Sequence, residues 1–145
     1  MANIRSYKPE DYEAVKNNLV AADMWDYTAD TEGNLQSMID QNPDAILVAE
    51  LDREVVGSIY TTPFGINVGI IWRLAVLEQH RRKGIASELL EEMTYRLNTK
   101  GVKEIWGFMD TTKPDLDKFY GRQNYVYNPD NKYFAIWKPL ELTSE

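Results

Sequence analysis

The stretch that most constrains this chain runs from Val68 to Gly101. Residues 68 to 77, "VGIIWRLAVL", are β-branched, aromatic and aliphatic, which predicts a strand. After "EQHRRKG", the residues Ile85, Ala86, Leu89, Leu90, Met93 and Leu97 recur at three- and four-residue spacing, and Gly101 follows where a C-terminal cap belongs. That pattern predicts a helix. A strand that enters a helix through a glycine leaves the helix's first backbone N–H groups unpaired, and those groups attract an anion. Arg81, Arg82 and Lys83 stand at this joint, in a chain with 16 basic against 23 acidic side chains.

The helix dipole alone contributes only about 0.3 to 1 kcal/mol at an exposed terminus. Basic side chains add charge-assisted hydrogen bonds roughly twice as strong as neutral ones. Gly84 removes the side chain that would keep a phosphate off the backbone, and Ala86 keeps the first turn slim. Carboxylates come only later, at Glu88, Glu91 and Glu92. The combination suits a pyrophosphate; the plainer alternative is a solvated basic loop that costs the helix a little electrostatic energy.

At 145 residues the chain is expected to form one domain, 1–145, with a single site. A net charge of -7 argues against broad phosphate-backbone binding, so nucleic acid is not an expected partner. No cysteine is present, which excludes disulfides, thiolate nucleophiles and thiolate metal sites. No apolar run approaches the ~18 to 20 residues of a membrane span. A soluble, cytoplasmic protein without a membrane partner is expected.

"NIRSY" (3 to 7) alternates like a strand, and "KPEDYEAVKNNLVAAD" carries a proline in a helix's first turn with acidic residues beside it. Residues 24 to 34 have no sustained period and read as a loop, before a short helix "LQSMIDQ" that stops ahead of Asn42-Pro43. "AILVAEL" (45 to 51) and "EVVGSIYTTP" (54 to 63) read as strands joined in a hairpin at Asp52-Arg53, and with residues 68 to 77 they imply an antiparallel meander. "VKEIWGFMD" (102 to 110) reads as a strand, "PDLDKFYGRQN" (114 to 124) as a short helix and "KYFAIWKPL" (132 to 140) as a closing strand. The pattern is mixed α/β.

"WRLAVLEQHRRKGIASELLEEM" resembles the acyl-CoA-binding signature of the GNAT superfamily of N-acetyltransferases, Arg/Gln-x-x-Gly-x-Gly/Ala, which opens a helix after a hydrophobic strand; Arg81, Gly84 and Ala86 match it. "KFYGRQNY" (118 to 125) is similar to that family's later aromatic segment, and the element order agrees over nearly the whole chain. The resemblance implies an α+β fold with a largely antiparallel central sheet flanked by helices. It also implies acetyl-CoA as co-substrate: Leu74, Ala75 and Val76 would offer backbone groups to the pantetheine arm, while Arg81, Arg82, Lys83, Gly84, Ile85, Ala86 and Ser87 would cradle the phosphates. The implied chemistry is direct acyl transfer, with a backbone N–H for the oxyanion and an acid for the departing thiolate. Tyr120 matches the family's acid; its plainer reading is a core aromatic beside Phe119.

The chain departs from the family pattern at two places. Trp72 and Arg73 stand where relatives often carry an acidic residue that deprotonates the amine, so the base is unassigned, with Glu50 and Asp110 as stand-ins. Lys113 replaces an Asn common in relatives. His80, the sole histidine, reads as a residue that packs under the loop rather than as a base.

The segment from Asp23 to Glu32 mixes Met24, Trp25 and Tyr27 with Asp26 and Asp30, a composition that could hold a cationic amine or simply pin a loop to the sheet. Three functions stay open: an N-acetyltransferase acting on a small-molecule amine, an enzyme of the same chemistry acting on a protein N-terminus or lysine, and a non-catalytic acyl-CoA-binding regulatory module. Dimers are common in the family, so a homodimer is among the expected partners.

Overall fold

The structure, a computed structural model, describes residues 2–126 and Lys138. Its elements are β1 (Asn3–Ser6), α1 (Tyr12–Ala21), α2 (Glu32–Gln41), β2 (Ile46–Leu51), β3 (Glu54–Phe64), β4 (Val68–Val76), α3 (Ile85–Thr99), β5 (Glu104–Gly107) and α4 (Leu116–Arg122). The chain divides into two units, Met1–Phe108 and Met109–Glu145. The first holds a five-stranded sheet in the order β1-β2-β3-β4-β5. Neighbours are antiparallel except β4 and β5, which are parallel because α3 carries the chain back between them. The expected mixed, largely antiparallel sheet is therefore present.

Helices cover both faces of this sheet. On one face α1 and α2 bury Tyr12, Val15, Leu19 and Leu35 against Ile46, Val48, Tyr60 and Ala75. On the other lies α3, whose Ile85, Leu89, Leu90, Met93 and Leu97 are all buried, as the periodicity predicts. Gly57 of β3 lets α3 lie close: a Cβ there would stand 3.0 Å from the Ala75 carbonyl oxygen and 3.2 Å from Leu89.

Several boundaries differ from the sequence expectation. The β2–β3 hairpin forms at Asp52 and Arg53, both with positive φ (51° and 68°), the twist that a two-residue turn needs. The segment read as a loop to residue 34 ends earlier, because Thr31 caps α2 by accepting the Asn34 amide at 3.2 Å. The weak helix formers Gly33 and Asn34 conceal that start. β5 is shorter than 102 to 110, since its pairing ends at Gly107. The expected closing strand, 132 to 140, lies outside the described residues apart from Lys138. No helix among the described residues is long and apolar enough to cross a membrane.

Gly57→Ala is expected to lower the unfolding free energy by about 1 to 3 kcal/mol, the usual cost of overpacking. In α2, Gly33→Ala meets nothing within 4 Å and should instead be neutral or stabilising. Urea denaturation of both variants checks the contrast.

Candidate functional site

The site begins with an irregularity in β4. Ser58 pairs with Ala75, but Tyr60 pairs with Trp72, so Ile59 of β3 faces both Arg73 and Leu74. This is a β-bulge, and Arg73 sits in it with φ 55°, a left-handed conformation uncommon for a residue with a side chain. The extra residue breaks the alternation of faces. Trp72 packs against the α1/α2 core, and Arg73 also reaches the α1–α2 segment.

At the same point β4 loses a partner. β4 pairs with β5 only from Val68 to Ile71, so from Trp72 to Val76 that edge has no strand partner among the described residues. The Leu77 amide donates to the Val56 carbonyl at 2.9 Å. Alternation therefore turns the backbone groups of Ala75 toward Ser58 of β3 and those of Leu74 and Val76 toward the open edge.

Beyond β4 the chain makes a 3-10 turn, Glu78–His80, and reaches α3 through the basic run. Arg81 Nε donates to the Val76 carbonyl at 3.0 Å, which ties this loop to the open edge. Arg81, Arg82, Lys83 and Gly84 are exposed, and Arg82 and Gly84 have φ of 64° and 79°. Gly84 is the N-cap of α3 and offers no capping side chain, so the first-turn amides of Ile85 and Ala86 have no acceptor within the helix. A Cβ at Gly84 would meet nothing within 4 Å. The space above the helix start is open, as a phosphate would need. A hollow of about 220 Å³ lies between the end of α1, at Asn18 and Ala22, and Val76, Leu77 and Arg81. His80 is half-buried, with Nδ1 3.5 Å from Lys83 Nζ.

The α1–α2 segment is pinned rather than open. Asp30, with its side chain fully buried, accepts Arg73 Nε at 3.1 Å, lies 3.0 Å from Arg73 Nη2, and takes the Asp26 amide at 2.9 Å. Its own carbonyl accepts Tyr12 Oη at 2.9 Å and Trp25 Nε1 at 3.1 Å. Lys16 Nζ lies 4.9 Å from the Trp25 ring centre, so that ring face is already engaged. Of the acidic and aromatic residues there, Asp23, Asp26, Tyr27 and Glu32 remain exposed. The pairing of Asp30 with Arg73 is signalled in the sequence only by a lone arginine within the apolar run "GIIWRLAV".

Tyr60 packs its ring edge-on to Trp72 at 5.0 Å, and its buried hydroxyl lies beside the Asp30 carboxylate without forming a hydrogen bond of good geometry. Burial, followed by the nearby Asp30 carboxylate, pushes its pKa well above the ordinary phenol value. Glu50 is engaged by Arg5 Nε at 2.7 Å.

Tyr120 belongs to the second unit, on α4. Its ring meets Phe119 at 5.1 Å and Tyr125 at 5.5 Å, both edge-on. Burial raises its pKa, which holds the phenol in its protonated form. Asp110 accepts the Thr112 hydroxyl at 2.6 Å and its amide at 2.9 Å, bonds that lower its pKa, and Lys113 is exposed.

Comparison with known proteins places this chain in a family. Residues 8–125 match the model of the acetyltransferase (GNAT) family. The chain belongs to that family. An acetyltransferase of Pectobacterium atrosepticum is 30% identical over 102 residues, 70% of this chain and 72% of that protein. Ard1 from Thermoplasma volcanium superposes with a TM-score of 0.78 at 21% identity, covering 88% of this chain and 84% of its own. A PaiA N-acetyltransferase from Thermoplasma acidophilum, solved with coenzyme A, gives 0.73 at 19% identity over 85% of this chain and 88% of its own. Members of this GNAT family take the acetyl group from acetyl-CoA, the co-substrate.

Tyr60→Phe removes a buried hydroxyl that lies beside Asp30 without a well-formed hydrogen bond, and its stability is expected to stay within about 1 kcal/mol of the parent at pH 7. Because the folded pKa is raised, the parent should lose stability as pH climbs past the unfolded phenol's value of about 10. The variant should lose less. Urea midpoints at pH 7 and pH 10.5 measure both effects.

Proposed function

We propose that this protein transfers an acetyl group from acetyl-CoA to a primary amine of a small molecule, with residues 1–145 acting as one cytoplasmic catalytic domain. The observation that carries this reading is the open β4 edge leading directly into the uncapped start of α3. Leu74 and Val76 hydrogen-bond the pantetheine arm, and Ala75 between them holds the strand to β3. Arg81, Arg82 and Lys83 neutralise the diphosphate, while Gly84, Ile85, Ala86 and Ser87 admit it to the helix start.

In the reaction a neutral amine attacks the thioester carbonyl; a C–N bond forms, the C–S bond breaks and the amine's surplus proton leaves to solvent. A backbone N–H at the bulge stabilises the oxyanion. Tyr120 is the general acid for the departing sulfur; its burial-raised pKa keeps it protonated at neutral pH. Asp30 does not serve as base, because Arg73 and the Asp26 amide already occupy its carboxylate. The exposed carboxylates of Asp23, Asp26 and Glu32 support a cationic acceptor.

Gly84→Asp places a carboxylate at the helix start, and its CoA dissociation constant by calorimetry is expected to rise about tenfold or more. An unchanged value would show that the cradle is misplaced. Tyr120→Phe should lower kcat by about 10²-fold with acetyl-CoA affinity intact. Full turnover would remove Tyr120 from the mechanism. Substrates for that assay come from an amine panel scored by release of free CoA; an inactive panel with tight acetyl-CoA binding would favour a regulatory module instead.

A further inference from the structure

We propose that Asp30 and Arg73 are positioning residues: their ion pair latches the α1–α2 segment onto the β4 bulge and so fixes the backbone donors of the open edge. The inference rests on the acetyl-transfer reading above. Four observations carry it. Arg73 has φ 55° inside a strand rather than in a turn or exposed loop, a conformation that is uncommon for a residue with a side chain and needs support from its surroundings. Its guanidinium grips one carboxylate through two nitrogens, with Nε 3.1 Å and Nη2 3.0 Å from Asp30 Oδ2. That carboxylate is fully buried and the guanidinium is 23% exposed, so salt screens the pair less than it would a surface ion pair. The Asp30 carbonyl also gathers Tyr12 Oη and Trp25 Nε1, so the residue that holds the bulge organises the α1–α2 segment as well.

The consequence is a coupling within the first unit. Arg73 stacks over Trp72, 5.4 Å from its ring centre, and Trp72 Nε1 donates to Thr62 Oγ1 at 2.8 Å, so the strand is clamped on the side of the bulge nearest β5 as well. If the latch opens, Arg73 has no reason to keep its left-handed backbone, and the Leu74 N–H turns away from the open edge. A displaced donor costs turnover and one hydrogen bond to the pantetheine arm, while the basic loop and the α3 start still hold the diphosphate, so cofactor affinity falls far less than it would without the cradle.

The test uses the full chain and two variants, Arg73→Lys, which keeps the charge but loses the fork, and the double variant Asp30→Asn with Arg73→Gln, which leaves no buried charge unpaired. Amide hydrogen exchange is read at residues 72–75, at 24–31 and, as a control, at 46–49. In both variants exchange at the first two segments should accelerate together by about tenfold or more while the control is unchanged. The same proteins should lose about tenfold or more in kcat, while the acetyl-CoA dissociation constant rises by about two- to tenfold, as expected for one lost hydrogen bond with the diphosphate cradle intact. Unchanged exchange at 72–75 overturns the latch, and faster exchange with full kcat overturns its positioning role. A parent protein that binds no acetyl-CoA would instead sink the acetyl-transfer reading, while the exchange measurement still decides the latch.

Discussion

Among the described residues, β4 is hydrogen-bonded to strands on both edges as far as Ile71 and to one strand alone from Trp72 onward. Backbone groups in a sheet interior must be paired, so such an edge either meets solvent or awaits another extended chain. The bulge at Arg73 lies where the second partner is lost. It re-aims the strand there and hands Arg73 to Asp30 on the α1/α2 side. The remaining features of the first unit follow from keeping this strand in place: α3 packs close against it through Gly57 on one face, and Tyr60, Trp72 and the α1–α2 segment hold it on the other.

Charge follows the same logic. The chain is acidic overall, yet its basic residues at 81 to 83 crowd one helix start, where the peptide dipole already favours an anion. Without an anion this arrangement costs energy; with a diphosphate it becomes favourable. The one arginine inside the apolar strand is treated in the opposite way. Arg73 is neutralised by a buried aspartate of its own chain and is thereby withdrawn from ligand charge and assigned to backbone geometry.

Much of this was legible in the residues. The period of Ile85 to Leu97 marked the buried face of α3, and the joint at Asp52-Arg53 marked the hairpin. The basic run and Gly84 marked the helix start. The bulge was not legible, because a one-residue insertion leaves composition untouched and only shifts which neighbours face which side. The start of α2 was hidden by Gly33 and Asn34, which argue against helix until the Thr31 cap is seen. β5 was over-extended because Phe108 reads as a strand residue, whereas pairing, which ends at Gly107, decides its length. The role of Asp30 needed three dimensions, since it lies 43 residues from Arg73.

The proposed acetyl-CoA surface is the open edge of β4 continued by the start of α3. Amide chemical shifts during titration with acetyl-CoA test it directly. The largest shifts are expected at Leu74, Val76 and Gly84 to Ser87, saturating together along a single isotherm. Shifts confined to another part of the chain, or none at all on these amides at saturating ligand, would contradict it.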